Sequence, residues 1–541
     1  MYMPGYVPSS SLGFDSSIMD AVTVENSYRN SPYFHVAHAR DLTGRDKLVY
    51  RLLEMLPGFL SWGTIITIIV LSINAPVVAA FFIIAFDLFW LLKTVYFSLH
   101  QRHNFRRLRH HKRQNWHEML EPLKYEGIHH MVILPYYKES REIVEQAIES
   151  VETADYDRQR VILVLAAEER AGSEALEIGE AMLKKYKHTF GHMILTVHPP
   201  DLSGEIKGKG PNITWAAERT KEEVIDPHKI PYEDIIVSAF DIDTVVEPQY
   251  FLCLTWHFLT TEHPHKASFQ PVPLYNNNIW DAPAVSRVAA FSSTFWQMIQ
   301  QEREEKLTTF SSHAISFKAL NEVGFWQKNM ISDDSRIFWN LFMANDGDYR
   351  VVPISYPVSM DANLAPSLWQ TMVNIYRQHL RWMWGQESIP YMLFGFMKNP
   401  RIPFKSKVFH TLVQIEGFWS LSTAPLIILL LGWLPLLLGG DAFRDTVLSY
   451  NLPFVTRNLM IVAMMGLILS AAIGLSLMPP MPERLKKKRL SRYLGASLQW
   501  LLVPFTIIIF GAIPGLHAQT RLMLGKYMGE FWVTPKHRKG S

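Results

Sequence analysis

The sequence predicts an α/β domain on a largely parallel sheet, flanked by transmembrane α-helices. Three observations carry that prediction. Polar, charge-rich sequence fills residues 115–370, long apolar runs lie on both sides of it, and within the polar block strand-like and helix-like patterns alternate. Averaged over 541 residues the chain is 48% hydrophobic and only 19% charged, lean in charge for a soluble protein of this size.

The apolar runs Leu56–Ala75 and Pro76–Leu99 each reach the ~20 residues a helix needs to cross the hydrocarbon core. Asn74 and Pro76 at their junction mark a helical hairpin. A second span follows at once, so the first run is read as a span and not as a secretory signal. Phe418–Gly439, Asn458–Leu477 and Leu498–Leu516 follow the polar block. Arg102, Arg106, Arg107, Arg109, Lys112 and Arg113 directly follow the hairpin, and Arg484, Lys486, Lys487, Lys488, Arg489 and Arg492 follow the fourth run. Basic flanks stay in the cytoplasm, which places the N-terminus and the polar domain there, in a multi-pass protein of the plasma membrane. A formal net charge of only +3, with each basic cluster abutting a span, argues against nucleic acid as a partner. The last run conflicts with this topology, because the tail behind it is also basic. Pro504 and Pro514 would resolve the conflict by folding the run into a re-entrant hairpin, leaving the tail cytoplasmic.

These signals divide the chain into six parts. A disordered segment (1–50), rich in Ser, Tyr, Pro and Asn, precedes the hairpin and its basic flank (51–114). The α/β domain (115–365), interfacial helices (366–408), a C-terminal transmembrane region (409–520) and a basic cytosolic tail (521–541) follow. The single cysteine, Cys253, rules out a disulfide framework and reads as core filler.

Inside the domain, strands are expected at His130–Leu134, Arg160–Ala166, His192–Val197 and Ile235–Ala239, with helices at Glu142–Val151, Ser173–Tyr186 and Ile213–Val224. Alternation with uninterrupted apolar strands argues a parallel sheet covered on both faces. Ligands bind outside the carboxyl ends of such strands. There the sequence places Pro135-Tyr136-Tyr137-Lys138-Glu139, then Glu168-Glu169-Arg170, and Asp241-Ile242-Asp243 after the fourth strand. Lys207-Gly208-Lys209-Gly210-Pro211-Asn212, Ser332-Asp333-Asp334 and Gln378-His379-Leu380-Arg381-Trp382 complete the set.

Two carboxylates at the end of a buried strand are costly without cations, and hard divalent ions take one or two carboxylates plus substrate phosphates. A metal–diphosphate site fits Asp241 and Asp243. Gln-x-x-Arg-Trp is rarer, with a chance occurrence on the order of one in a hundred for a chain this long. On a helix over Leu368–Trp384, Gln378, Arg381 and Trp382 share one face at i, i+3, i+4. A membrane-surface amphipathic helix would show a similar mix.

Taken in order, these motifs resemble the family 2 glycosyltransferases, in the membrane-integrated branch of cellulose, chitin and hyaluronan synthases. The resemblance covers roughly residues 55–540 and implies a GT-A-type domain, with a Rossmann-like mixed or parallel sheet, on the cytosolic side. It also implies residue roles. Tyr136 and Glu139 would line the pocket for base and ribose, and Glu168 stands where the family has an Asp that contacts the base. Lys209 would meet the diphosphate and Asp241 would hold the donor. Asp243 would bind Mg²⁺ or Mn²⁺. Asp334 would be the general base, preferred over Asp333 on reach. Gln378, Arg381 and Trp382 would contact diphosphate and acceptor sugar. The catalytic set is thus Asp334, Asp243 and Arg381, and one base opposite the leaving group implies inversion.

The chain departs from the family in two places. Its Thr-Glu-Asp reads Ser332-Asp333-Asp334, and the loop Phe310–Ala314 lacks the Gly and Cys found where polymer synthases seat the acceptor. His313 in that loop reads as a structural hydrogen bonder. Phe531-Trp532-Val533-Thr534-Pro535-Lys536 resembles a cytosolic closing segment of relatives. Asp87 and Glu416, inside apolar runs, are read either as part of a lipid or glycan path or as paired structural groups. The expected activity is transfer from a nucleotide sugar, expected to be a UDP-sugar, to a growing polysaccharide. Single transfer to a lipid acceptor is the alternative. A non-catalytic nucleotide-binding transporter or scaffold is the distant one, and a transporter would show more spans and repeats.

Overall fold

The structure, a computed structural model, describes residues 28–538. Its centre is an eight-stranded mixed sheet of order β3-β2-β1-β4-β7-β6-β8-β5. The strands are β1 (His129–Tyr136), β2 (Val161–Glu168), β3 (His192–His198), β4 (Ile235–Ala239), β5 (Val245–Val246), β6 (Ala267–Tyr275), β7 (Ala314–Ser316) and β8 (Arg350–Met360). The helices that matter here, numbered along the chain, begin with α1 (Gly44–Asn74), α2 (Pro76–His111), α3 (Arg141–Glu152), α4 (Ser173–Tyr186) and α5 (Lys209–Thr220). They continue with α6 (Tyr250–Thr260), α7 (Ala284–Gln300), α8 (Asp333–Ala344), α9 (Leu368–Met383), α10 (Phe404–Leu429) and α11 (Val447–Leu477).

The half-sheet β3-β2-β1-β4 is parallel throughout. Its strands are apolar because helices cover both faces: all eight residues of β2 are buried. The parallel run ends at β4, and the sheet as a whole is mixed, within the expected mixed or parallel class. β7 runs antiparallel to both β4 and β6, β6 and β8 pair in parallel, and β5 closes the edge antiparallel to β8. That second half was not visible as alternation, since β5 and β7 are only 2 and 3 residues long and prolines interrupt β6 and β8.

Five helical segments are long and apolar enough to cross a membrane: Gly44–Asn74, Pro76–His111, Phe404–Leu429, Val447–Leu477 and Arg489–Met523. The first four present apolar side chains outward, among them Phe81, Leu92, Leu412 and Ile468. Glu416 on α10 pairs with Lys93 on α2, so the paired reading holds for it. The fifth segment is broken by 3₁₀ and π turns, and both of its ends meet the α/β domain. Near its start Trp500 stacks on Phe295 of α7, and at its end Ala518 and Leu522 pack with Ile331, Leu380 and Trp384, while the carbonyls of Leu522 and Met523 accept from Arg51 of α1.

The expectation of disorder over 1–50 needs correction from residue 28 onward; residues 1–27 lie outside the described set. Phe34, Val36 and Tyr50 are buried, and the backbone carbonyl of Phe34 accepts from Tyr391. The aromatic residues that give this stretch its irregular composition are anchors in the domain core. Cys253 is buried in α6, as expected of core filler.

Candidate active site

The candidate cleft forms where β4 and β8 end and α5, α8 and α9 begin or pass. Lys209 is the first residue of α5, which places an ammonium at the end of a helix that repels cations. Three carboxylates offset this. Its Nζ donates to Asp241 Oδ1 at 2.8 Å and to Asp334 Oδ1 and Oδ2 at 3.0 and 3.3 Å. Burial works against the charge on Lys209, yet Asp241, Asp334 and Asp333 together hold its pKa above the ordinary lysine value. For Asp241 burial is likewise outweighed, by Lys209 and by a 2.7 Å hydrogen bond from Ser311 Oγ, and its pKa is depressed.

Asp333 and Asp334 open α8, where the helix N-terminus favours carboxylates. Their environments differ sharply. Asp333 is 2% exposed, and burial, reinforced by Asp334, pushes its pKa up to about 8. It is therefore a neutral acid at neutral pH. Asp334 is partly exposed toward the cleft and faces Lys209, with His313 Nδ1 3.7 Å away. His313 is fully buried, its Nδ1 bonded to the carbonyl of Phe310 and its Nε2 accepting from Trp326, which makes it a structural hydrogen bonder.

Asp243 lies one turn beyond Asp241, 1% exposed. Its Oδ2 accepts from the backbone N–H of Asp361 at 2.9 Å and from Lys536 Nζ at 2.6 Å, while Oδ1 is buried without a partner. Asp361, at the end of β8, is held by a two-pronged contact from Arg538 at 2.8 and 3.0 Å. The tail that carries these cations crosses the cleft from Gly208 onward. Phe531 N–H donates to the carbonyl of Lys207 at 2.8 Å, and a Cβ on Gly208 would stand 2.6 Å from Phe531 Cβ. The Arg381 guanidinium sits over the Phe531 ring at 4.0 Å and faces the carboxylates of Asp241, Asp334 and Asp333.

On the same face of α9, Gln378 accepts from Asn363 at 3.0 Å and Trp382 lies 6.1 Å from Tyr275. These residues and Asp361 line a narrow cavity against α7. At the far side of the cleft, Glu139 accepts from the backbone N–H of Tyr137 at 2.7 Å. Burial raises its pKa, and Lys536 and Asp243 are among the charges it feels. Glu168, at the end of β2, pairs with Arg170, whose guanidinium lies over the Tyr137 ring at 4.5 Å.

The structure thus gathers Lys209, Asp241, Asp243, Asp334 and Arg381 into one cleft, with Gln378 and Trp382 at one rim and Glu139 and Glu168 at the other. Tyr136 is not part of it. Its side chain points under the sheet and its hydroxyl donates to the carbonyl of Ala175 at 2.8 Å. The open ring at this strand end belongs to Tyr137, as the alternation of a strand requires. Asp361, Ser311, Lys536 and Arg538 were not anticipated as site residues. The Phe531–Lys536 motif was the one available signal for Lys536.

Among the described residues no group of three or more His, Cys, Asp or Glu is placed to hold a metal ion. In the cleft Asp243 and Asp333 each offer a buried carboxylate oxygen without a partner, and an ammonium already sits against the other oxygen of Asp243. That donor set fits an ion delivered with a diphosphate, which needs one or two protein carboxylates, and does not fit a resident ion in a protein cage.

Residues 236–478 match the family profile described as Glycosyl transferase family group 2. No curated protein matches the chain. Among solved structures, the mannosyltransferase PcManGT from Pyrobaculum calidifontis, in complex with GDP-Man and Mn²⁺, is 14% identical with a TM-score of 0.37, covering 77% of this chain and 99% of that one. Residues 1–349 of S. aureus TarS are 10% identical with a TM-score of 0.34, covering 64% of this chain and 91% of that one. Scores this low add nothing to the reading of the site, which stands on the profile match and the geometry. The match runs from β4, with its Asp-x-Asp, to the end of α11, and over that stretch the chain is similar to glycosyl transferase family group 2.

Proposed function

We propose that the protein is an inverting glycosyltransferase that takes a sugar from a nucleotide sugar, expected to be a UDP-sugar, and adds it to a growing polysaccharide at the cytoplasmic face of the plasma membrane. The observation that carries this is the convergence of Asp241 and Asp334 on Lys209 Nζ, with Asp243 and Arg381 beside them. These groups come from β4, α5, α8 and α9, and they pair two tasks: offsetting a diphosphate's charge and accepting a proton.

The chemistry follows from the placement. Lys209 and Arg381 are fixed cations for the charge that develops on the leaving diphosphate. Asp334, paired with Lys209 and open to the cleft, takes the proton of the acceptor hydroxyl. The acceptor oxygen then bonds to the anomeric carbon as the bond from that carbon to the diphosphate oxygen breaks. Asp333 is ill placed for this role, because it is buried and burial favours its protonated form. Asp241, ion-paired to Lys209, keeps that cation in place and is available to the donor. A Mg²⁺ or Mn²⁺ bound with the donor would be held by Asp243 and would supply further charge neutralisation. Glu139, Glu168 and Tyr137 form the rim suited to the nucleoside.

A lipid acceptor is the second reading. It is favoured by the Phe310–Ala314 loop, where Ser311 is engaged by Asp241 and Ser312 lies within 3.2 Å of Thr244 Oγ1, so the loop differs from the acceptor seat of polymer synthases. Purified protein in lipid nanodiscs, offered a panel of nucleotide sugars with Mg²⁺ or Mn²⁺, tests both. The proposal expects released nucleoside diphosphate and a long product. A single addition to a lipid would establish the second reading, and no nucleotide release from any donor would overturn both.

A further inference from the structure

Away from the catalytic cleft, a cavity of about 520 Å³ opens between α2 and α11 at the end nearest the catalytic domain. Four of its lining residues are arginines, Arg102, Arg106, Arg109 and Arg113. Arg102, Arg106 and Arg109, at i, i+4 and i+7, share one face of α2, and Arg113 follows in the turn just past its end. The other basic residues of this stretch serve a different purpose. Arg107 reaches Glu302 at 3.4 Å and Lys112 reaches Glu247 at 2.8 Å, binding the helix to the catalytic domain. None of the four cavity arginines has a carboxylate partner among the described residues; Arg109 only lies over the ring of Phe105, 5.6 Å from its centroid.

The opposite wall is apolar. Leu469, Ala472 and Ile473 of α11 face the arginines, with Ser476 at the rim. The cavity also sits at a defined depth. Outward-facing apolar residues run along α2 to Leu99 (60% exposed) and along α11 past Ile468 (71% exposed), and the arginines begin within a turn of where that belt stops. Cations without partners on one wall, hydrocarbon on the other, at the level where a bilayer's polar layer begins, match one chemistry. It is a phosphate ester carried on an apolar chain.

We propose that this cavity is a binding site for the head group of an anionic phospholipid. The arginines take the phosphate, and the α11 wall takes the glycerol and the first methylenes of an acyl chain. A free phosphate ester would satisfy the arginines but leave the apolar wall wet, which is why the lipid is the occupant argued for. The site does not depend on the sugar-transfer reading.

The experiment uses the full chain in detergent, with bound lipid counted by native mass spectrometry after incubation with phosphatidylglycerol or phosphatidylcholine. Wild type is expected to retain phosphatidylglycerol preferentially. Arg106→Gln/Arg109→Gln should lower its retention on the order of fivefold per arginine removed. Ala472→Trp, which fills the cavity and leaves the charges alone, should lower it as well, so a folding defect in the arginine variant does not decide the matter. A charge-matched control on the exposed surface of the catalytic domain, Lys184→Gln/Lys187→Gln, should retain lipid as wild type does. Competition by glycerol 3-phosphate at equal concentration would overturn the lipid assignment in favour of a soluble phosphate ester. Unchanged retention in both cavity variants would overturn the site.

Discussion

Asp333 and Asp334 are neighbours in sequence in opposite settings, and the difference is burial. Asp334 reaches the cleft and Lys209, whereas Asp333 lies under Gly210 with its Oδ2 buried and unpartnered. Two predictions belong to this pair. Asp334→Asn keeps the shape and the helix start but cannot take a proton, so nucleotide release should fall at least ~10²-fold, the scale of a lost general base. Asp333→Asn should leave turnover within a few-fold of wild type and change stability against pH. The carboxyl of Asp333 titrates near about 8 when folded and near ~4 when unfolded. Between those values the folded chain holds a proton that the unfolded chain has lost. The contribution is therefore complete below about pH 4 and is lost as pH rises toward 8. Unfolding midpoints of wild type should drop across that window more steeply than those of Asp333→Asn, and equal slopes would contradict the assignment. At Lys209, Lys209→Met removes the cation that Asp241 and Asp334 share, and turnover should fall ~10²–10³-fold.

At the scale of elements, the tail that runs through Phe531 to Arg538 governs access to Asp243. Lys536 occupies one oxygen of that carboxylate and Arg538 holds Asp361 beside it. A divalent ion arriving with its diphosphate must compete with the ammonium. Lys536→Ala should therefore lower the half-saturating Mn²⁺ concentration about tenfold, the equivalent of one charge-assisted hydrogen bond. An unchanged metal requirement would show that the contact does not compete. This tail also marks where sequence reading reached its limit. β1 to β4 and the helices among them were legible because each is a local pattern of buried apolar residues. Asp241, Asp243 and Asp334 were legible because they sit at element ends. Lys536 meets Asp243 across 293 positions, a contact that no local pattern encodes. Tyr136 was misassigned for a smaller reason: a shift of one residue along β1 swaps the core face for the cleft, and only the register decides it.

For the whole molecule, α1 and α2 form a hairpin, with α10 packed against α1 and α11 against α2. The Arg489–Met523 segment begins and ends at the catalytic domain. We expect it to enter the membrane without crossing, which keeps the tail on the side of the cleft it fills. The single native cysteine is buried, so introduced cysteines can report sidedness directly. In intact cells, an impermeant maleimide should label Asp441→Cys, in the α10–α11 connection, and should not reach Lys526→Cys until the membrane is opened. Labelling of both in intact cells would place the tail outside and remove it from the catalytic cleft.

The central claim is that separate elements bring one metal-binding carboxylate and one base to a single diphosphate. Calorimetric titration of UDP into the membrane-reconstituted protein, with and without Mn²⁺, tests this most directly when wild type is compared with Asp243→Ala and Asp334→Asn. The account predicts that Asp243→Ala loses the strengthening of UDP binding by Mn²⁺, while Asp334→Asn keeps it. Metal-strengthened binding that survives in Asp243→Ala would contradict it.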